Sequence, residues 1–244
     1  MEFRFLEWDT NFFGLNIGRI DTKFINKNSI KEVLQKKKIE GFELIYLYHP
    51  IALDTEMEYF PEYLVDIKCD LSHECGIEAP CSHIENNNIT EYNKTFPDKE
   101  LLDLTFQSGA QSRFKKDLNF SPDSFQKLYS EWIKKSITKE LADFVFVANQ
   151  NGKITGMITF KVEHNVGTIG LMAVDKNQRN KGIGSSLIQK VKYCAQNREL
   201  LTILVSTQKL NREAIAFYKK NNFKLFKQTK IYHFWLRKLD YDSF

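Results

Sequence analysis

The spacing of apolar residues divides the first part of the chain into one helical segment and two strand-like segments. Residues 27–43 carry apolar side chains three or four positions apart, which predicts one face of a helix. Residues 43–49 form a short apolar run and residues 63–72 alternate between apolar and polar positions, so each is expected to form a strand. This part of the chain is therefore mixed α/β. The apolar face of the predicted helix consists of Ile30, Val33, Leu34 and Ile39.

A polar stretch at residues 84–100 interrupts this pattern. It contains a run of asparagines and Pro97, which are typical of a linker or a long loop. We therefore expect a smaller N-terminal α/β domain over residues 1–95, which contributes to a substrate site, and a second domain over residues 96–244.

The second domain is predicted to begin with a helix and an antiparallel meander. Residues 121–137 have helical periodicity, with Ser121 as a suitable N-cap and Pro122 at the first helical position. Three strand-like runs follow within residues 143–175, and an Asn-Gly pair between the first two is a strong hairpin signal. The apolar face of the helix consists of Phe125, Leu128, Trp132 and Ile133.

The remaining segments alternate between helix and strand. A helix is expected to follow Gly184, residues 201–208 form a nearly continuous apolar strand, and residues 211–223 predict a short helix. Residues 223–236 are interpreted as a closing hairpin. The apolar face of the helix after Gly184 consists of Leu187, Ile188, Val191, Cys194 and Ala195.

Composition excludes two classes of protein. The 244 residues are 42% hydrophobic and 27% charged, which is usual for a soluble globular protein, and no apolar run approaches the length of a membrane span. Four cysteines in a chain of this length do not suggest a disulfide scaffold. The N-terminus shows no secretory signal pattern. We therefore expect a cytoplasmic protein that makes no membrane contact.

Charge is distributed unevenly along the chain. Of the 35 basic and 31 acidic residues, 15 basic and only 5 acidic ones lie between Val174 and the C-terminus. This asymmetry predicts an anionic partner for the C-terminal part, either nucleic acid or a phosphorylated cofactor.

A glycine-rich basic stretch, DKNQRNKGIGS at residues 175–185, precedes the predicted helix. A helix N-terminus offers unpaired backbone N–H groups and partial positive charge, and glycines allow a ligand to approach the backbone. The stretch is therefore a candidate phosphate site, with Arg179, Lys181 and Lys190 as nearby cations. The alternative is an ordinary turn with solvated side chains.

The order of motifs narrows the choice of ligand. The stretch lacks the P-loop pattern, and Leu187 stands where a dinucleotide fingerprint needs its third glycine. Arg179-x-x-Gly182-x-Gly184, followed by Asn211-x-x-Ala214-x-x-x-Tyr218, resembles the GNAT acyltransferase superfamily over residues 102–236. That resemblance implies an α/β (α+β) GNAT fold, with a central mixed, mostly antiparallel sheet flanked by helices. Asn222 stands where these proteins commonly have glycine, and asparagine tolerates the left-handed conformation required there.

The resemblance implies that acetyl-CoA is the cosubstrate. Amides between Arg179 and Ser185 would surround its pyrophosphate, the preceding strand would pair with its pantetheine arm, and Asn211 would hydrogen-bond that arm. Tyr218 would lie by the thioester sulfur and protonate the leaving thiolate as general acid, or else simply pack beside its aromatic neighbours. The expected cofactor-binding residues are Leu171, Met172, Ala173, Val174, Arg179, Asn180, Lys181, Gly182, Ile183, Gly184, Ser185 and Asn211.

Residues outside these motifs resemble the dTDP-fucosamine acetyltransferase family. The matching stretches are WDTNFFGLNIGRI at residues 8–20, residues 112–122 and 128–137, and YHFWL near the end. The resemblance implies direct acetyl transfer, in a ternary complex, to the 4-amino group of a nucleotide-linked 4-amino-4,6-dideoxyhexose. A sugar nucleotide needs cations and aromatic surfaces, so the expected acceptor-binding residues are Arg113, Phe13 and Trp132. The two aromatic residues are alternatively part of the core.

Several points stay open at this level. The general base is unassigned, with Glu163 and His164 as weak candidates. A protein N-terminus or a small amine is an alternative acceptor. The C-terminal part from Val174, whose net charge is +10, is alternatively a nucleic-acid-binding module. We expect no nucleic acid partner, no metal and a possible homodimer. Cys69, His73, Cys75, Cys81 and His83 lie close in sequence, but their spacing matches no common zinc pattern.

Overall fold

The computed structural model describes residues 1–53, 59–76 and 88–239. These residues form one mixed sheet of ten strands in the order β1-β2-β3-β10-β4-β9-β8-β7-β6-β5, with helices packed on both faces. The strands are β1 (Glu2–Phe5), β2 (Ile17–Asp21), β3 (Leu44–Ile51), β4 (Leu64–Glu74), β5 (Ile89–Glu91), β6 (Phe144–Gln150), β7 (Lys153–Glu163), β8 (Val166–Val174), β9 (Thr202–Gln208) and β10 (Lys224–Trp235). The helices are α1 (Glu7–Phe13), α2 (Lys27–Ile39), α3 (Lys99–Ser108), α4 (Arg113–Lys116), α5 (Ser124–Ile137), α6 (Ile183–Gln196) and α7 (Arg212–Lys220).

The predicted mixed and mostly antiparallel character of the sheet is confirmed. Among the described strands, the parallel pairs are β2 with β3 and β8 with β9, and the other neighbours run antiparallel. None of the helices in this described part of the chain is long and apolar enough to cross a bilayer.

Side-chain alternation gives the sheet two different faces. Met157 and Ile158 are neighbours on β7, yet they belong to two separate apolar clusters because consecutive strand residues point to opposite sides. We call the side of Ile158, where α6 and α7 pack, the cofactor face, because it carries Tyr218, which is predicted to lie beside acetyl-CoA. We call the side of Met157, where α3 and α5 pack, the acceptor face, because it carries the predicted acceptor-binding residues Phe13 and Trp132.

The predicted closing hairpin is wrong. Residues 224–235 form the single strand β10, which pairs with β3 along one edge and with β4 along the other. No turn residues interrupt this segment, so it continues as one strand once two partners from the N-terminal part are available. The residues on either side of the predicted boundary at residue 95 therefore share one sheet.

Local predictions hold best where periodicity alone decides the structure. The apolar face predicted for α6 is confirmed, and Asn222 takes the expected left-handed conformation with φ of 65°. Ile39 does not join the face of α2, because it lies at the last position of the helix and is exposed. Ser121 is not the N-cap of α5, which starts at Ser124, because its hydroxyl bonds Asp123 and Ser124 in a preceding turn.

The polar stretch predicted as a linker contains more structure than expected. Residues 89–91 form β5, which pairs with β6 at the sheet edge, and α3 begins at Lys99 behind an Asp98 cap. Asp98 Oδ1 accepts a hydrogen bond from Leu101 N at 3.0 Å, which satisfies one of the free amides at the helix start.

Candidate functional site

The site is built around a place where the two central parallel strands stop pairing. The ladder between β8 and β9 covers Val166–Ile169 and Thr202–Val205. Beyond it, β8 continues on β7 as far as Val174, whereas β9 continues on β4 as far as Gln208. Beyond Ile169, β8 has an edge that does not pair with β9, and an extended ligand could pair with this edge in the manner of an added strand.

A β-bulge marks the end of the ladder. Ile158 of β7 pairs with Met172, but Phe160 pairs with Ile169, so Gly170 and Leu171 together lie opposite a single residue, Thr159. The Thr159 hydroxyl oxygen accepts a hydrogen bond from Leu171 N at 2.8 Å. This bond holds the displaced backbone of β8 in its bulged form.

The basic glycine stretch lies at the N-terminus of α6. Gly182 is the N-cap, with φ of 82°, and Asn180 is also left-handed. The first backbone bond of the helix runs from Ser186 N to Gly182 O, so the amides of Ile183, Gly184 and Ser185 precede the helical ladder. This arrangement can receive a diphosphate.

The two glycines serve different purposes. Gly182 needs its positive φ, and a Cβ there would meet nothing within 4 Å. At Gly184 a Cβ would lie 3.0 Å from the Phe217 ring, so this glycine allows α6 to pack closely against α7. Close packing brings the N-terminal end of α6 beside the helix that carries Tyr218.

Two of the three predicted cations, Arg179 and Lys181, lie at the glycine stretch. Lys181 Nζ donates to Gln178 Oε1 at 2.8 Å, and Arg179 lies 3.6 Å from Glu213, both on the exposed surface. Lys190 does not join them, because it lies two helical turns farther along α6, with its Nζ 5.5 Å from the centre of the Phe146 ring.

Tyr218 lies on the cofactor face beside the bulge. Its side chain is buried between Phe217 and Phe223, and its hydroxyl donates to Met172 Sδ at 3.7 Å. Burial raises the pKa of Tyr218 well above its ordinary value. The structure thus brings together a hydroxyl that stays protonated and the strand segment expected to run beside the thioester.

Asn211 is the N-cap of α7. Its Oδ1 accepts a hydrogen bond from Ala214 N at 3.3 Å, which leaves its amide nitrogen as the group that could donate to a ligand. The cap fixes the start of the helix, and seven residues later the same helix presents Tyr218.

Arg113 lies on the other face, at the start of the short helix α4. Its guanidinium carbon is 4.3 Å from the centre of the Phe114 ring and 5.5 Å from that of Tyr46. Its Nε is buried and has no hydrogen-bond partner among the described residues. A buried donor without a partner costs about 1–3 kcal/mol, so a ligand that accepts from it gains that amount back.

Two carboxylates face Arg113. Burial raises the pKa of Asp9, and it raises that of Asp66 to about 6, while attraction to Arg113 opposes both shifts. Strand alternation in YLVDIKCDLS already places Asp66, Lys68 and Asp70 on one face of β4. That signal could have identified this polar surface from the sequence.

Phe13 and Trp132, the predicted acceptor-binding aromatic residues, both pack against Phe114, the neighbour of Arg113 in the chain. Phe13 stacks on Phe114 with ring centres 5.6 Å apart, and Trp132 meets the same ring at 6.2 Å. Both are half-buried against the apolar cluster of the acceptor face. Their observed contacts support the segment that carries Arg113.

A buried polar link fixes the residues after α4 to the sheet. Asp117 Oδ2 accepts hydrogen bonds from His233 Nδ1 at 2.6 Å and from Trp235 Nε1 at 2.9 Å. These bonds lower the pKa of Asp117 to about 2, and burial lowers that of His233 to about 4. Sequence reasoning missed this link because its members are more than one hundred residues apart.

The cysteine–histidine group is only partly described, since Cys81 and His83 lie outside the described residues. Within the described ranges, no three His, Cys, Asp or Glu side chains are placed to share a metal ion. His73 Nδ1 lies 3.1 Å from Asn222 O, beside the Phe223 ring, and Cys69 is fully buried.

Comparison with known proteins shows that part of the chain matches a recognised domain. Residues 142–225 match the family model of the acetyltransferase (GNAT) domain. The chain is 27% identical over 117 residues to N-alpha-acetyltransferase 30 of Schizosaccharomyces pombe, covering 46% of this chain and 77% of that protein. It is 25% identical over 135 residues to the spore coat polysaccharide biosynthesis protein SpsD of Bacillus subtilis, covering 55% of this chain but only 46% of SpsD.

A solved structure extends the likeness to nearly the whole chain. A GCN5-related N-acetyltransferase from Sphaerobacter thermophilus superposes with a TM-score of 0.55 at 15% identity, covering 90% of this chain and 73% of the other. At this identity the likeness concerns the fold, and the predicted GNAT fold is confirmed.

Proposed function

We propose that this chain, an acyltransferase with a GNAT acetyltransferase domain over residues 142–225, transfers an acetyl group from acetyl-CoA to a nucleotide-linked sugar. The acceptor is the 4-amino group of a 4-amino-4,6-dideoxyhexose, and transfer is direct within a ternary complex. In this proposal the protein works in the cytoplasm, with no metal and no nucleic acid partner.

The cofactor half of the proposal is supported by the α6 N-terminus and the end of the β8–β9 ladder. The CoA pyrophosphate would contact the amides of Ile183, Gly184 and Ser185, which precede the helical ladder. The pantetheine arm would follow Leu171–Val174 along the edge that β9 has left. The thioester would then reach the bulge, where the Tyr218 hydroxyl lies against Met172.

The acceptor half depends on one observation: the buried Nε of Arg113 on the acceptor face has no hydrogen-bond partner within the part of the chain that the structure describes. A guanidinium binds phosphate oxygens with paired donors, and a sugar nucleotide supplies a diphosphate. The neighbouring Asp9 and Asp66 carboxyl groups can accept from sugar hydroxyls. The likeness to SpsD, named for polysaccharide biosynthesis, supports the same class of substrate.

Thiol release from acetyl-CoA tests the proposal with four acceptors: dTDP- and UDP-linked 4-amino-4,6-dideoxyhexoses, a polyamine, and a peptide with a free N-terminus. Turnover on one of the sugar nucleotides is expected, and it also identifies the nucleotide. Turnover restricted to the polyamine or the peptide would contradict the substrate while leaving the cofactor site in place.

A second candidate acceptor is a protein N-terminus. The likeness to N-alpha-acetyltransferase 30 favours it, since that relative is named for transfer to an α-amino group. The peptide in the acceptor panel distinguishes the two, because an α-amino acceptor has no diphosphate and its KM would not depend on Arg113.

A further inference from the structure

A serine on β9 lies where the β8–β9 ladder ends. Ser206 directly follows Val205, the last residue of β9 that pairs with β8. Val205 belongs to the apolar cluster of the cofactor face, so Ser206 points to the opposite, acceptor face. Ser206 is exposed there, and its hydroxyl is accessible to a molecule lying on this face.

A carboxylate holds this hydroxyl in place. Asp70 lies opposite Ser206 in the β4–β9 register, and Ser206 Oγ donates to Asp70 Oδ1 at 2.6 Å. This length is typical of a strong hydrogen bond to an ionised carboxylate. Lys68 Nζ lies 2.9 Å from the same oxygen, and the Asp70 side chain is only 13% exposed. The serine hydrogen is therefore committed to Asp70, and the serine oxygen keeps lone pairs for another donor.

The pair complements Tyr218 across the sheet. Tyr218 belongs to the cofactor-face cluster together with Val205 and Ile169, the two last residues of the ladder. A thioester at this point would have the Tyr218 hydroxyl on one side and Ser206 on the other. Glu163 and His164, the earlier candidates for the base, lie instead at the exposed turn joining β7 to β8.

We propose that Ser206, held by Asp70, receives the acceptor's ammonium group and carries its first proton away before the amine attacks acetyl-CoA. The inference rests on the proposed acetyl transfer, but not on the identity of the sugar. Ser206 is the catalytic residue, because it contacts the reacting nitrogen. Asp70 acts through the serine: it positions the hydroxyl and accepts the proton that the hydroxyl gives up.

The protons balance as follows. One ammonium proton moves to Ser206 Oγ while the serine proton moves to Asp70, which leaves a neutral amine. The nitrogen lone pair forms the C–N bond to the acetyl carbon, the C–S bond breaks, and Tyr218 protonates the thiolate. The second amine proton, lost as the amide forms, restores the Tyr218 hydroxyl. Asp70 releases its proton to solvent, so one proton is released per acetyl transferred.

A matched pair of variants tests the serine. Ser206→Thr keeps a hydroxyl. Ser206→Val introduces a side chain of nearly the same shape as threonine but without the hydroxyl, and both residues suit an exposed strand position. We expect kcat/KM for the amine acceptor to fall about 10²-fold in Ser206→Val relative to Ser206→Thr, as is usual when a proton-transfer group is lost. Acetyl-CoA binding, measured by calorimetry, should be unchanged in both, which also shows that they are folded.

A second acceptor separates proton removal from structural damage. Hydroxylamine is already neutral at pH 7, so it has no ammonium proton to lose. Ser206→Val and Asp70→Asn should therefore retain most of the wild-type rate with hydroxylamine while losing it with the amine. Equal losses with both acceptors, or no loss with either, would overturn the inference.

The amine used is whichever member of the acceptor panel the wild-type enzyme acetylates. Turnover on the peptide or polyamine alone would refute the proposed sugar substrate, and the threonine–valine comparison would then be made with that amine. Acetylation of no amine at all by the wild-type protein would refute both proposals.

Discussion

Burial of a single hydroxyl decides the chemistry available to Tyr218. Because its surroundings are apolar and its pKa is raised, the group stays protonated across the working range of an enzyme. It can therefore give a proton to a thiolate but cannot act as a base. No loss of activity from its ionisation is expected up to pH 10, because a raised pKa moves that loss to a higher pH.

Replacing Tyr218 with phenylalanine tests this role. The ring contacts with Phe217 and Phe223 remain, and the hydroxyl bond to Met172 is removed. We expect kcat to fall about 10²-fold while the acetyl-CoA dissociation constant stays the same. Steady-state kinetics and calorimetry measure the two quantities. An unchanged kcat would exclude Tyr218 as the general acid.

A negative charge introduced at position 182 tests whether the glycine stretch is an anion site or an ordinary turn. Gly182→Asp and Gly182→Asn have similar shapes and fit the open space around this position, but only aspartate adds negative charge. Repulsion of a nearby pyrophosphate amounts to about 1–4 kcal/mol at this range. We expect CoA to bind Gly182→Asp at least tenfold more weakly than Gly182→Asn. Equal CoA affinity in the two folded variants would contradict the loop assignment.

Arg113 provides the corresponding test for the acceptor. Methionine keeps much of the apolar length that contacts Phe114 and removes the charge, whereas lysine keeps the charge and removes the paired donors. Since a hydrogen bond to a charged group contributes about 1.5–3 kcal/mol, Arg113→Met should raise the acceptor KM about 10- to 100-fold. Arg113→Lys should give an intermediate KM. An acceptor KM unaffected by either change would return Arg113 to a structural role.

At the scale of elements, the ladder between β8 and β9 ends at Ile169, directly before the bulge in β8. Within the bulge, Leu171 N donates a hydrogen bond to the Thr159 hydroxyl. In the proposed function, the bulge therefore positions the edge of β8 that would bind pantetheine relative to Tyr218.

Thr159→Val removes that partner with little change in shape. It leaves Leu171 N without its acceptor in a buried place, which costs about 1–3 kcal/mol in the free energy of unfolding. We expect weaker acetyl-CoA binding as well, because the edge of β8 shifts. Thr155→Val is the matched control on the same strand, since Thr155 bonds Ala148 O away from the bulge. Urea denaturation and calorimetry follow the two effects, and equal behaviour of the variants would refute a special role for the bulge.

Element prediction from sequence succeeded where neighbours in the chain decide the structure. The meander β6–β8 and helix α6 follow from a turn pair and from apolar spacing, both local. The hairpin predicted for residues 223–236 failed because strand partners are chosen by the whole sheet. One long strand and a two-stranded hairpin would show the same apolar pattern over residues 223–236. Only pairing with β3 and β4 distinguishes them.

The same limit applies to the site at the scale of the molecule. The glycine stretch, Asn211 and Tyr218 stand in two short motifs, so the roles proposed for them could be predicted from the sequence. Ser206 and Asp70 are 136 residues apart, and Asp117 and His233 are 116 apart. Such pairs are visible only once the register of the strands is known.

A shared sheet predicts cooperative unfolding of the whole chain. β10 joins β3 to β4, and β4 in turn pairs with β9, so residues on both sides of position 95 lose partners if either side unfolds. We expect one thermal transition, with equal calorimetric and van't Hoff enthalpies. Two separate transitions would instead support independent folding of the two predicted domains.

The position of β10 at the centre of the sheet also imposes an order in time on a nascent chain. Leu47 and Leu64 both pair with Tyr232, so they must wait until the ribosome has made most of the protein. At about 5–20 residues per second, that wait lasts on the order of ten seconds or more. During it, β6, β7 and β8 can pair as they emerge, while β3 and β4 present open edges that a chaperone or a second nascent chain can bind. Variants that slow synthesis between β4 and β10 should therefore lower the yield of folded enzyme without changing its stability.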